Sequence, residues 1–180
     1  MPTLHMGSPM ALYLLGDLPP DESQRIEEAM LFNHTLRREF EAAEEELTAA
    51  YVSGQITTDT RERFERYFLR SEERVERLRL AELLYKYSRA DAPRFPDTSN
   101  PLHRYFLDEL APDEKLKIEE RLRADIDYKN QSEDARRELI AAHVLKQLAE
   151  ARRERFEEYF LNSEERLMEL KFAKAAHAHL

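Results

Sequence analysis

Apolar residues recur along the chain at the spacing of an α-helix. Phe64, Tyr67 and Phe68 follow the i, i+3, i+4 pattern that places side chains on one helical face. Ser71 is a candidate N-cap for a following helix. That helix carries its own apolar stripe, formed by Val75, Leu78, Ala81 and Tyr85. The pattern predicts two consecutive helices that each bury one side.

Helix-starting signals predict two more helices before these. A short apolar segment, ALYLLGDL, precedes a Pro-Pro pair, and Asp21 and Glu22 then suit a first helical turn. This second helix is predicted to continue to Val52, and a break around Asn33 is left open. The segment Thr57–Asp59 supplies N-cap candidates for the third helix.

The second half of the chain repeats the first. The segment RERFERYFLRSEERVERLRLA, from Arg61 to Ala81, matches RERFEEYFLNSEERLMELKFA, from Arg153 to Ala173, at most positions. The same offset, with no gap, aligns two further groups of residues, among them Tyr13 with Tyr105, Pro20 with Pro112, Ile26 with Ile118 and Leu47 with Leu139. Three matches at one offset indicate a tandem duplication.

The predicted fold is all-α, with two tandem helical-bundle repeats of about four helices each. The first repeat is predicted to span residues 11–88 and the second residues 104–180, joined by a proline-rich linker at 89–103. Residues 1–10, where Gly-Ser-Pro follows a second methionine, are interpreted as a tag or a disordered start.

Composition narrows the classes of function. Three glycines in 180 residues leave little room for phosphate-binding loops. The absence of cysteine excludes a disulfide framework and thiolate zinc sites, and a reducing compartment, the cytoplasm, is the expected location. The net charge of −9 disfavours binding to nucleic acid and suits a basic protein partner. No sequence segment is apolar enough to predict a membrane span.

Recognised motifs of catalysis and metal binding are missing from the sequence. Serine and histidine occur at no known catalytic spacing, and the Glu-x-x-His pattern of carboxylate-bridged metal sites occurs nowhere. His177 and His179 are two residues apart and would point to different sides of a helix. We therefore expect neither enzymatic activity nor a cofactor or metal site.

An arginine-rich stretch, from Arg61 to Arg79, is interleaved with aromatic residues and has two interpretations. Such a combination can form a nucleic-acid surface. However, Glu62 precedes Arg66 by four residues, as Glu73 precedes Arg77, which is the spacing of ion pairs on a solvated helix face. The second interpretation is favoured, so direct nucleic-acid contact is not expected.

The short apolar helix at the start of each repeat cannot be stable alone and must dock on another surface. Docking on its own bundle is favoured, and a contribution to a partner groove is the alternative. The candidate partner-binding residues are Tyr13, Leu14, Leu15 and Leu18 with their counterparts Tyr105, Phe106 and Leu107. In the linker, the candidate residues for proteolysis are Arg89, Asp91 and Arg94.

Three strings, YLLGDLPPDE, EEELTAAYVSGQIT and RERFERYFLRSEERVERLRLAELL, resemble a recurring bacterial pattern. They are similar to the cytoplasmic helical domain of anti-sigma factors, which commonly read Tyr-Leu-Leu-Gly-Glu-Leu, then Glu-Asp-Glu-Leu-Ile-x-x-Tyr, then Phe-Glu-x-x-Phe-Leu. The resemblance covers nearly all of the first repeat and, more weakly, the second, where Asp108 replaces the glycine of the first string. The zinc-binding subset of that family uses a His and two Cys, so its metal sensing does not carry over.

The resemblance implies a helical bundle that binds a sigma factor of the extracytoplasmic-function type and blocks its surfaces for core polymerase and promoter DNA. The chain is thus expected to sequester a sigma factor, with release by proteolysis, as a cytoplasmic protein or as the cytoplasmic part of a membrane-anchored one. The first repeat is expected to bind it, while the second binds another protein or serves as a brace. The alternative is a helical adaptor or scaffold that assembles other proteins or homodimerises.

Overall fold

A computed structural model of the protein describes residues 7–89 and 99–180. Within these two ranges every regular element is helical and no strand forms, so the predicted all-α class is confirmed. The predicted linker falls largely on residues 90–98, which lie outside the described residues. Nothing in the described ranges is both long enough and apolar enough to be a membrane-crossing helix.

Ten α-helices make up the described chain. The first half contains α1 (Pro9–Leu14), α2 (Pro20–Phe32), α3 (His34–Val52), α4 (Thr58–Tyr67) and α5 (Glu72–Ser88), with a short 3-10 helix, Phe68–Arg70, between α4 and α5. The second half contains α6 (Pro101–Phe106), α7 (Pro112–Ala124), α8 (Ile126–Val144), α9 (Glu150–Arg155) and α10 (Glu164–His179), with a π-helix, Phe156–Phe160, directly after α9.

Side-chain caps explain where several helices begin. The Asn33 side chain accepts hydrogen bonds from the backbone N–H groups of Thr35 at 3.0 Å and Leu36 at 3.2 Å. The helix predicted to continue to Val52 is therefore two helices, with the break at Asn33 that the sequence left open as the alternative. Thr57 caps α4 by accepting from the Thr60 N–H at 3.2 Å. Ser8 caps α1, so the first helix begins two residues before the predicted start of the repeat at residue 11.

The helices of the two halves begin at equivalent positions. Each helix from α6 to α10 starts 92 residues after its counterpart, as Pro101 follows Pro9 and Glu164 follows Glu72. Left-handed backbone conformations obey the same offset. The first half has them at Gly16 and Gly54, and the second has them at the non-glycine residues Asp108 (φ 57°) and Lys146 (φ 55°).

By contacts, the chain divides into two compact units, one ending at Glu82 but including Ala175–Leu180, and the other spanning Leu83–Lys174. The core of the first unit is built around α1, α3, α4 and the start of α5. Its buried residues are Ala11, Leu14, Leu15, Leu47, Phe64, Phe68 and Leu78. A core cluster of the second unit contains Leu102, Leu110, Ile118, Tyr128 and Ala135.

Lys146 is expected to be a weak point of the fold because a residue with a Cβ is strained at positive φ. Replacing Lys146 by Gly should raise the free energy of unfolding by about 0.5–1 kcal/mol. The matched control is Gly54→Ala at the equivalent position, where a Cβ meets nothing within 4 Å. That control should lower the free energy of unfolding by about 1 kcal/mol, since only the backbone conformation opposes it. Urea denaturation measures both changes, and equal signs would contradict the argument.

Candidate functional site

A cavity of about 330 Å³ opens in the second unit, and we call it the α6 pocket. Its walls come from α6, α7, the turn between them and the segment from the π-helix to α10. The lining residues are Tyr105, Phe106, Asp108, Lys115, Glu119, Tyr159, Asn162 and Arg166. This volume lies at the small end of the range of ligand pockets in proteins.

Arg166, in the first turns of α10, is the most unusual residue of the α6 pocket. Its guanidinium lies over two rings, 4.8 Å from the Phe160 centroid and 5.4 Å from the Phe106 centroid. One guanidinium nitrogen donates to the Phe160 carbonyl at 3.0 Å and to the Asn162 side-chain oxygen at 3.3 Å. In the described part of the chain, no carboxylate lies within 4.0 Å of it. Burial, followed by the charge of Arg136, lowers the pKa of Arg166.

The equivalent arginine of the first unit, Arg74, has a carboxylate partner. Its Nε lies 2.7 Å from Glu44, and Arg77 binds the other oxygen of Glu44 at 2.6 Å. The Glu44 side chain is only 5% exposed, so one buried carboxylate compensates two guanidinium groups. The residue at the position of Glu44 in the second half is Arg136.

Arg136 is the centre of an ion-pair cluster in which the acidic and basic positions are exchanged relative to the first unit. It lies on α8 and binds Glu165 at 2.9 Å and Glu169 at 3.0 Å, both on α10, besides Glu133 on its own helix. In the first unit the acid is on α3 and the bases are on α5, whereas in the second the base is on α8 and the acids are on α10. Because both α10 carboxylates are bonded to Arg136, neither neutralises Arg166 at close range.

The residue at the left-handed turn after the first helix of each unit differs between the two units. In the first unit the Tyr67 ring lies against Gly16, where an added Cβ would come within 2.8 Å of ring carbons. The equivalent residue in the second unit, Asp108, has a side chain, so its tyrosine counterpart, Tyr159, cannot occupy that place. Arg155 supports the strained turn by donating to the carbonyls of Leu107 at 3.1 Å and Asp108 at 3.0 Å.

The segment that carries Tyr159 also differs from its counterpart. It is a π-helix, Phe156–Phe160, at the place where the first half continues α4 and ends it with a 3-10 helix. Single-turn π-helices and non-glycine residues at positive φ are both enriched at functional sites. The π-helix, through Tyr159, and the left-handed Asp108 both border the α6 pocket, whereas the left-handed Lys146 does not line it.

Each unit contains a stack of three aromatic rings, and the stacked residues occupy equivalent positions in the two halves. Tyr51, Phe64 and Phe68 are stacked with centroids 4.3 Å apart at both steps. In the second unit the stack is His143, Phe156 and Phe160, with both centroid distances at 4.5 Å. Of the face that the i, i+3, i+4 pattern predicted, Phe64 and Phe68 are buried in the stack, whereas Tyr67 is half-buried and lies against Gly16.

His143 is expected to make stability depend on pH. Burial, with a contribution from Lys174, lowers the pKa of its imidazole. The unfolded chain therefore binds the proton more tightly, so stability is complete above a pH of about 6.5 and falls as the pH drops toward the folded-state pKa. Replacing His143 by Tyr, the residue at the equivalent position, should flatten this part of the profile. The free energy of unfolding of both proteins is measured by urea denaturation at a series of pH values. A difference between the two proteins that does not change with pH would refute this prediction.

The predicted partner-binding residues lie in two environments. Leu14, Leu15 and Leu107 are buried in the cores of their units. The Tyr13 ring packs on Phe40 at 6.0 Å between centroids. Leu18 is half-buried, and Tyr105 and Phe106 are half-buried in the wall of the α6 pocket. Of the linker residues named for proteolysis, Arg89 is exposed, while Asp91 and Arg94 lie outside the described residues.

Sequence reasoning did not identify the charged residues of the α6 pocket. Arg166 belongs to the stretch that repeats best, and in the sequence Asp108 is distinctive only as a departure from the family pattern. The sequence signal that could have identified them is a pair of differences between equivalent positions of the two halves: Gly16 is replaced by Asp108, and Glu44 by Arg136. Their meaning depends on contacts between helices far apart in sequence.

A second surface stands out on α2, which buries none of its residues. Two large apolar side chains at its carboxyl end are exposed, Leu31 at 67% and Phe32 at 88%. The helix has four acidic residues and one basic residue, Arg25. Its counterpart α7 has four acidic and four basic residues, and Arg123 and Ala124 replace Leu31 and Phe32. The acidic apolar surface is therefore specific to the first half.

Comparisons with protein-family models, with curated proteins and with solved structures give no match for this chain.

Proposed function

We propose that the chain is a protein-binding regulator of the anti-sigma type, which sequesters a basic transcription factor through α2. The observation that carries this proposal is the exposed pair Leu31 and Phe32 at the end of an acidic helix. Large aromatic side chains at an exposed corner are effective anchors in protein interfaces. Acidic residues beside the anchor accelerate the encounter with a basic partner and favour it over acidic ones.

We also propose that the chain consists of two tandem copies of one helical-bundle unit. The equal offsets of helix starts, left-handed turns and ring stacks support a duplication. The surfaces of the two copies then diverged, since α2 is acidic and apolar where α7 is balanced in charge. We assign the sigma factor to the first copy, in agreement with the sequence resemblance, and the cytoplasm of a bacterium as the location.

The test uses the full chain in its native host. A sigma factor should co-purify with the wild-type protein in about equal amount, and the isolated complex should not bind core RNA polymerase. The double variant Leu31→Ser/Phe32→Ser should lose this co-purification while keeping its thermal stability, because both side chains are already exposed to water.

The matched control is Leu116→Ser/Ile126→Ser, which removes two similarly exposed apolar side chains, 54% and 69%, from the second half. This control should retain the sigma factor. If the complex still binds core polymerase, the anti-sigma proposal is wrong. If Phe32 instead mediates binding of an unrelated protein or of a second copy of the chain, the adaptor function replaces it.

A further inference from the structure

The α6 pocket carries an inference beyond the proposed function. We propose that it binds an organic monocarboxylate with an aromatic group, whose carboxylate pairs with the Arg166 guanidinium. Nothing in the proposed contact at α2 requires this site, so the two proposals stand or fall separately.

Arg166 has no bonded carboxylate among the described residues. A half-buried guanidinium without a carboxylate is unfavourable, because desolvation is not offset by an ion pair. The equivalent Arg74 avoids this cost through Glu44, whereas the position of Glu44 holds Arg136, whose positive charge acts against that of Arg166. Glu165 and Glu169 offset this effect in part from a distance, but both are bonded to Arg136 and neither forms an ion pair with Arg166. A bound carboxylate would restore the partner that the first unit supplies from its own chain. The planar guanidinium can bind both carboxylate oxygens at once.

A second feature is the space beside Arg166. Tyr159 is kept from the place where Tyr67 packs because Asp108 has replaced glycine, and Asn162 replaces the longer side chain of Arg70. Arg70 in the first unit lies over the Tyr67 ring at 4.9 Å. Tyr67 and Arg70 thus pack on each other in the first unit, whereas their counterparts Tyr159 and Asn162 line the α6 pocket. The resulting volume, about 330 Å³, holds a ligand with the size of an aromatic amino acid.

A third feature is the charge and polarity of the walls, which select the ligand. Lys115 is bonded to Asp108, and Glu119 lies 3.8 Å from Arg123, so these four charges are balanced among themselves. Arg166 is the charged lining residue that bonds no carboxylate among the described residues, so it can pair with a single negative charge on a ligand. A phosphate dianion would meet the two rim carboxylates and is disfavoured. The rings of Tyr105, Phe106 and Tyr159 line the rest of the pocket and suit an aromatic group.

The experiment titrates the full chain, labelled for nuclear magnetic resonance, with matched probes. N-acetylphenylalanine should bind with a Kd of about 1 mM or tighter and shift the backbone signals of α6 and Asp108. N-acetylphenylalaninamide has the same ring but no charge, and it should bind at least about tenfold more weakly. Inorganic phosphate should bind more weakly than the acid. A short peptide ending in phenylalanine, with a free or an amidated terminus, distinguishes a protein carboxylate from a small molecule as the source.

Three variants locate the site. Arg166→Gln should weaken binding of N-acetylphenylalanine about tenfold. Asp108→Gly/Lys115→Ser installs the residues of the first unit, so it should close the pocket and weaken binding even if Arg166→Gln does not fold. Arg79→Gln, on an exposed arginine of α5 paired with Glu76 at 2.8 Å, should bind as the wild type does. Equal binding of acid and amide, equal binding of phosphate, or no binding by the wild type would each overturn the proposal.

Discussion

Replacing Glu44 by Gln is expected to lower the free energy of unfolding by about 3 kcal/mol. The carboxylate is 5% exposed and binds both Arg74 and Arg77, so the neutral amide leaves the partly buried Arg74 without its carboxylate and deprives Arg77 of its buried one, with the exposed Glu73 remaining. Urea denaturation measures the loss. The control is Glu73→Gln, whose carboxylate also bonds Arg77 at 2.6 Å but is 71% exposed, and it should cost no more than about 0.5 kcal/mol. Equal losses for the two variants would contradict a special role for the buried carboxylate.

The ion-pair cluster of the second unit, where acidic and basic positions are exchanged, suggests a second substitution that should restore part of the stability lost at Glu44. Glu44→Arg alone places a third positive charge among Arg74 and Arg77 and should be more destabilising than Glu44→Gln. Adding Arg77→Glu recreates the Arg136–Glu169 pair at the equivalent positions. The double variant should recover part of the loss, since Arg74 would remain without a carboxylate, as Arg166 is. A double variant that is less stable than Glu44→Arg would refute the equivalence of the two clusters.

Phe64→Ala is expected to have the largest effect of any single truncation in the first unit, about 4 kcal/mol. The ring is fully buried and stacks between Tyr51 and Phe68 with centroids 4.3 Å from each. Its removal deletes buried apolar area, leaves a cavity and breaks the stack at its centre. The loss is measured as the change in the free energy of urea denaturation.

Two control variants separate the effect of burial and side-chain volume from the effect of removing a phenylalanine ring as such. Phe64→Leu keeps most of the volume and should cost about 1–1.5 kcal/mol. Phe32→Ala removes the same ring from a side chain that is 88% exposed and should stay within about 0.5 kcal/mol of the wild type. A large loss from Phe32→Ala would show that α2 packs on the core, which would also weaken the proposed docking role of its exposed end.

Local signals in the sequence predicted most of the helical framework. A helix is stabilised by bonds and side-chain caps within a few residues, so the break at Asn33 and the start of α4 after Thr57 could be recognised from short segments. The apolar spacing of Phe64 and Phe68 also identified a core face, because a helix places such residues on one side. The repeat offset then extended these predictions to the second half.

Tertiary structure decided the residues of the candidate sites. Glu44 lies 30 residues before Arg74, and whether a charged side chain is paired or solvated depends on which helices meet, not on its neighbours in sequence. The arginine-rich stretch shows this dependence, since Arg74 and Arg77 bind a buried acid while Arg79 binds only Glu76 on its own helix.

By itself, then, the sequence determined an all-helical chain with two similar halves and an acidic charge, because these properties follow from local spacing and composition. Only the packing of helices decided that Leu14 and Leu15 are buried while Phe32 is exposed. Packing also placed Asp108, at the position equivalent to Gly16, and Arg166 in the wall of one pocket. Burial, cavities and buried ion pairs are properties of surfaces brought together across long sequence distances, so they become visible only in three dimensions.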